Sequence, residues 1–235
     1  MNAGLGNAEI AMRNKIRNMQ VVANNLANIN TTGFKRGLAF SEVFNEQNKT
    51  LKQEVTDFTE GVFEETNNPL NAAISGNSYF TVQTPNGEEI TRNGSFKVDK
   101  EGFLATQDGY RVLTLNGEIN LENELIDNKQ SLTITENGLL RLDDKIIGKL
   151  KIVTVEDQTG LKKSDGERFY NKERYYTVAN EEDFEIHQGY LESSNTNAIL
   201  EMQEMIQLQK DYEASHKMVT SLDNILALQK DIGKI

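Results

Sequence analysis

A chain of 235 residues is long enough for one large or two modest domains, but a hydrophobic share of 37% is low for a self-sufficient globule and points to apolar surface that partners complete. The absence of cysteine excludes disulfide frameworks, thiolate metal sites and cysteine nucleophiles. The net charge of −11 is uneven, with +4 on residues 1–40, −3 on residues 190–235 and −12 between them; the ends oppose one another in sign, and Arg13, Lys15 and Arg17 are too slight a basic patch to mark a nucleic-acid binder.

Taken in chain order, the first element is a helix. Leu5, Ala8, Met12, Ile16, Met19, Val22, Leu26 and Ile29 recur every three or four residues, which predicts an amphipathic stripe. The opening residues lack a basic stub followed by an apolar block, so a cleavable signal peptide is not expected, and nothing in the chain is apolar for long enough to enter a membrane. The stripe ends in NNLANINTTGFKR at 24–36, where asparagine, threonine and glycine stop a helix. Leu26 and Ile29 close the seam, while Asn24, Asn25 and Asn28 can bond to backbone groups of a neighbouring helix or subunit. Residues 41–61 fit neither a helical nor a strand period and read as an extended connector able to hold a hairpin.

From 62 to 189 short apolar alternations such as Phe80-Thr81-Val82-Gln83, Leu132-Thr133-Ile134 and Leu150-Lys151-Ile152-Val153 predict strands. They are separated by Asn86-Gly87, Asn93-Gly94, Asp108-Gly109, Asn116-Gly117, Asn137-Gly138 and Asp165-Gly166, pairings suited to tight hairpins. The middle is therefore a mostly antiparallel β-domain. Its chemistry is unremarkable. His187 and His216 are 29 positions apart and have no cysteine beside them to suggest zinc. Nucleophile and phosphate-loop motifs are missing, and Glu64-Glu65, Asp143-Asp144 and Glu181-Glu182 cannot act as glycosidase pairs because adjacent strand residues point to opposite faces. No catalytic residue, cofactor or metal is expected.

After the cap-rich run Ser193-Ser194-Asn195-Thr196-Asn197, no glycine or proline occurs until Gly233, which permits a helix of about 35 residues. Its apolar positions include Ile199, Met202, Met205, Leu208, Tyr212, Ser215, Val219, Leu222 and Leu226, with Ile206 widening the stripe. This alternation of three and four is a heptad seam. Long helices of this kind are marginal alone, so the two terminal helices pair with each other or with neighbouring subunits. The expected fold is α+β: long N- and C-terminal helices paired as a coiled coil from 1–40 and 190–235, with the β-domain inserted between them.

Three segments together resemble the axial proteins of the bacterial flagellum, and within them the basal-body rod proteins. They are residues 24–36, then NPLNAAISGNSYFTVQTPNGE at 68–88 with TRNGSFKVDKEGFLATQDGYRVL at 91–113, and last GYLESSNTN at 189–197 with the Glu201-to-Glu213 stretch. Departures are local: LGNAEIAM at 5–12 lacks the usual aromatic and small-residue run, Asn71 stands for an aspartate, Thr196 for a valine and Lys210 for an arginine. The short centre and IIGKLKIVTVEDQTGLKKSDGERF look more similar to the proximal-rod F-type protein than to the distal-rod G-type or the hook protein.

The resemblance implies a non-enzymatic rod subunit in the periplasmic part of the basal body, assembling helically with itself and with other rod and hook proteins. It also implies passage through the flagellar type III export apparatus without a cleaved signal, with termini disordered until docking. The residues expected at subunit interfaces are Leu5, Met12, Ile16, Met19, Val22, Asn24, Asn25, Leu26, Asn28, Ile29, Thr32, Gly33 and Phe34, with Met202, Met205, Ile206, Tyr212, Val219, Leu222 and Leu226. Two other classes stand beside this one. One is an exported β-domain that binds cell-wall glycan and is oligomerised by its helices; the other is a peptidoglycan hydrolase.

Overall fold

The computed structural model describes residues 2–39, 54–121, 132–143, 145–164, 166–173 and 176–232. The chain divides into two compact units. One holds Met1–Ile29, Arg36–Asp57 and Thr196–Ile235; the other holds Asn30–Lys35 and Phe58–Asn195. Most of the expected 41–61 connector, from 41 to 53, lies outside the described residues.

The helical unit contains α1 (Asn2–Ala27), β1 (Gly37–Ala39), β2 (Glu54–Thr56) and α2 (Ala198–Ile232). The cap-rich run before α2 does what its composition predicts. The Asn197 side chain accepts from the backbone N–H groups of Ile199 and Leu200, two of the donors that a helix start leaves without partners. At the other end of α1, the Asn28 N–H and side-chain amide both donate to the Asn24 carbonyl, closing the last turn. α1 and α2 pack against each other, and β1 pairs antiparallel with β2 so that Leu38 lies opposite Val55.

The other unit is built of β3 (Phe63–Glu65), β4 (Ala72–Gly76), β5 (Ser78–Thr84), β6 (Gly87–Thr91), β7 (Phe96–Val98), β8 (Leu104–Thr106), β9 (Arg111–Thr114) and β10 (Gly117–Glu118). There follow β11 (Leu132–Ile134), β12 (Leu139–Leu142), β13 (Lys145–Lys149), β14 (Ile152–Thr154), β15 (Lys162–Lys163), β16 (Arg168–Tyr170), β17 (Thr177–Val178), β18 (Phe184–Gln188) and β19 (Tyr190–Glu192). Every strand pair among the described residues is antiparallel, as expected from the turn-rich sequence. The main sheet runs β15-β16-β6-β5-β9-β8-β7, with β14 also on β5; β11, β12 and β13 form a meander, and β18 with β4 and β19 with β3 make two ribbons.

β5 is central and covered on both faces, because its alternating side chains enter different clusters. Phe80 and Val82 join Ile74, Phe96, Leu104, Leu140 and Ile186 in the larger core. Tyr79 points the other way, into Ile90, Val153, Phe169 and Tyr176.

Five of the six predicted turn pairs lie between consecutive strands, with glycine at positive φ. Asn93-Gly94 is different. Gly94 is not left-handed there; it is required because a Cβ would lie 1.6 Å from the Ala72 carbonyl oxygen, in a close approach where the Ala72 N–H donates to the Gly94 carbonyl at 3.0 Å.

Candidate assembly surface and buried charge cluster

In the helical unit, the described side chains of α2 that are covered or half-covered are 198, 201, 205, 208, 211, 212, 215 and 219; apart from Asp211, which reaches Lys15, they follow the inner stripe that packing against α1 requires. Met205, Tyr212 and Val219 are in it. Met202, Ile206 and Leu222 are not: they are exposed and flank it. At about 100° of rotation per residue, Ile199, Met202 and Ile206 line one flank, and Leu200, Met218, Leu222 and Ile225 the other. All seven are exposed large apolar side chains. On α1, Val22 is buried, Met12, Met19, Leu26 and the following Ile29 are half-buried, and Ile10 and Ile16 are exposed. The side chains of Leu5 and Leu226 lie outside the described ones.

Polar contacts fix the register of the two helices. Lys15 Nζ donates to Asp211 Oδ2 at 2.7 Å, and that hydrogen bond holds the aspartate below the usual carboxylate range. Asn25 is buried, and its amide acts as a strand partner for Gly37, donating to the carbonyl at 2.8 Å and accepting from the N–H at 2.9 Å. The same Nδ2 reaches Glu201 Oε2 at 3.1 Å. Arg36 Nε donates to the other oxygen of that buried carboxylate, and Arg36 Nη2 to Glu204 at 3.1 Å. Asn25 and Asn28 thus find their partners inside this chain, while the Asn24 side chain is exposed.

In the β unit, residues 30–35 are clasped by a charge cluster. Thr32 Oγ1 donates to Asn93 Oδ1 at 2.9 Å. The Gly33 N–H donates to the Glu192 carbonyl at 2.7 Å, and Gly33 sits at φ +69° where a Cβ would approach the Asn93 nitrogen to 2.4 Å. Phe34 is buried beneath Lys163 Nζ, 3.6 Å above its ring. Lys35 is 0% exposed; its Nζ donates to Glu192 Oε1 at 2.5 Å and to the Thr59 carbonyl at 2.7 Å. Burial pushes the Lys35 amine below its ordinary range, against the opposing pull of Glu192.

Glu192 also accepts from the Gly61 N–H at 2.9 Å, and its second oxygen lies 3.5 Å from Arg92 Nη1. Arg92 is in turn held by the carbonyls of Ile74 and Gly76 and lies over the Tyr79 ring, 5.1 Å from its centroid. Gln158 donates to the Tyr79 hydroxyl at 3.0 Å, and burial raises that phenol to about 12. Lys35 and Glu192 both stand inside quoted motifs, but their pairing had no signal in either. The nearest thing to a cue was a single acid in GYLESSNTN and the two adjacent bases, Lys35 and Arg36, in NNLANINTTGFKR.

The remaining chemistry is sparse. His187 is wedged between Phe63 and Tyr190, with ring centroids 5.6 and 6.4 Å away, at the rim of an open cleft of about 720 Å³ that Glu136 and Asn137 also line. His216 is exposed beside Tyr212. Among the described residues no cluster of histidine and acidic side chains can hold a metal ion, and no helix is long and apolar enough to cross a membrane.

The class so defined is an α+β protein in which long helices from the two ends of the chain bracket an antiparallel β unit and keep apolar flanks on solvent. Three family models match in order along it. The flagella basal body rod protein model covers residues 5–35, the flagellar hook protein FlgE/F/G D1 domain covers 73–142, and the flagellar basal body rod FlgEFG protein C-terminal model covers 187–228. The chain is 32% identical over 238 residues to the flagellar basal-body rod protein FlgF of Caulobacter vibrioides, spanning 93% of each. It is 29% identical over 249 residues to FlgG of Buchnera aphidicola subsp. Acyrthosiphon pisum, spanning 89% of this chain and 91% of that one. Over 249 residues it is 28% identical to FlgG of Bacillus subtilis strain 168, spanning 92% and 93%. The chain belongs to the flagellar basal-body rod protein family, whose members are structural rather than catalytic.

Proposed function

We propose that the chain is an F-type structural subunit of the flagellar basal-body rod, assembling helically with copies of itself and with other rod and hook axial proteins into the shaft that carries motor torque across the periplasm. The observation that carries this reading is the pair of apolar flanks on α2, seven large side chains exposed to water on a helix whose inner stripe is already occupied. Covering each contributes roughly 1.5–3 kcal/mol, and a heterologous contact that does not close into a ring produces a filament. In this reading α1 and α2 form the core of a coiled-coil axial domain. Met202, Ile206 and Leu222 meet neighbouring subunits, whereas Val22, Asn25, Gly33 and Phe34, buried by the chain itself, hold the subunit in shape. Export proceeds through the flagellar type III apparatus.

The test replaces Ile206 or Leu222 with Asp. Each variant should reach the periplasm with its β unit folded, be missing from purified basal bodies and leave cells non-motile. Normal incorporation and motility of both variants would refute the reading.

A further inference from the structure

The chain has six methionines and no cysteine, so thioethers are its only sulfur chemistry. Their exposures differ sharply. Met202 and Met218 are 52% and 64% exposed, whereas Met12, Met19 and Met205 are half-covered by the pairing of α1 with α2. Among the described residues, the two exposed thioethers are distributed one to each apolar flank: Met202 between Ile199 and Ile206, and Met218 one turn before Leu222 and two before Ile225.

We infer that Met202 and Met218 are oxidation sites that switch the assembly face off, their target oxidant being a peroxide. The inference rests on the rod-subunit reading of those flanks. The thioether sulfur attacks one peroxide oxygen; an S–O bond forms as the O–O bond breaks, the other oxygen leaves as water, and sulfur loses the two electrons that the peroxide gains. The product sulfoxide is polar and keeps a strong acceptor oxygen that an apolar contact cannot satisfy. One oxidation therefore disables one flank, and two disable both. An assembled subunit is protected because the contact covers the sulfur. The sensitive species is the exported chain before docking, and oxidation acts on the pool rather than on the finished shaft.

Two measurements on the full-length chain test this. Dilute hydrogen peroxide followed by peptide mass mapping should oxidise Met202 and Met218 well before Met12, Met19 and Met205; equal or reversed rates would overturn the assignment. In cells, M202Q/M218Q, which places a polar amide at both positions, should lower incorporation into basal bodies by about tenfold or more, a difference near 1.4 kcal/mol or above. M202L/M218L, which has no thioether on either flank, should incorporate to the same extent with and without a peroxide dose that depletes incorporation of the parent chain; an equal depletion of this variant would overturn the switch. If Ile206→Asp and Leu222→Asp block incorporation but M202Q/M218Q does not, the switch is refuted and the rod reading stands. If the aspartate variants also incorporate normally, the rod reading itself fails and takes the switch with it.

Discussion

Replacing Lys35 with methionine leaves an unbranched side chain one atom shorter and removes its charge and donors. The native ammonium is wholly buried, with a carboxylate oxygen at 2.5 Å and a carbonyl oxygen at 2.7 Å. In Lys35→Met the Thr59 carbonyl loses this donor, and Glu192 keeps one backbone donor at 2.9 Å and a guanidinium at 3.5 Å, a contact too long to replace it. Removing one partner of a buried pair costs about 3–5 kcal/mol, because the other charge stays desolvated. Arg92 softens that figure, so the expected loss is about 3 kcal/mol. The assay is urea denaturation followed by Tyr fluorescence and far-UV circular dichroism, with Glu192→Leu and the double variant completing a cycle. The double variant should be less destabilised than the sum of the single ones by about 1–3 kcal/mol. A Lys35→Met loss below about 1 kcal/mol, the range of an exposed ion pair, would refute the claim that the cluster is buried and coupled.

Three further substitutions follow from the same geometry. Gly33→Ala forces a Cβ into the Asn93 backbone at a left-handed φ, and should lower stability by about 2–4 kcal/mol in thermal unfolding; a loss no larger than that of Gly160→Ala, where the added atom meets nothing, would contradict it. Asn25→Leu should cost about 2–4 kcal/mol by leaving the Gly37 pair and one Glu201 oxygen short of partners, read as faster amide exchange at Gly37. Tyr79 titrates near 12 when folded and near 10 when unfolded, so its neutral form contributes stability that is complete below pH 10 and lost by about pH 12. The difference is about 3 kcal/mol. Lys35 acts with the opposite sign just below its ordinary value of 10.5, since the folded state releases that proton more easily. In a Lys35→Met background, Tyr79→Phe should therefore flatten the fall in stability between pH 10 and 12; an unchanged slope would show that the phenol is not the group responsible.

Local patterns announced much of this fold. The period of three and four gave both long helices, because a buried stripe on a helix can recur no other way, and Asn197 capped the second where the polar run predicted. Hairpins formed at Asn86-Gly87, Asp108-Gly109 and Asn116-Gly117 because their conformation is decided within a few residues. Asn93-Gly94 reads identically in sequence, yet its glycine answers to Ala72, which only the folded chain brings near. The division of α2 between an inner stripe and two flanks was equally hidden. Met202, Met205 and Ile206 are all apolar, and only the position of α1 decides which is covered. The charge cluster was the least visible feature, since Lys35 and its carboxylate are 157 positions apart and no periodicity links them.

That separation has a kinetic meaning. Lys35 leaves the ribosome first, and Glu192 only after nearly all of the strands have emerged. Until then the six residues 30–35 have no acid to close on, and a lysine that is buried in the finished molecule stays in water. Closing so long a loop is slow, and its entropy is recovered only when both ends are present. The clasp is thus a late event that reports on the completeness of the chain: a molecule interrupted anywhere before residue 192 cannot seat its own segment 30–35, however well its earlier hairpins have formed.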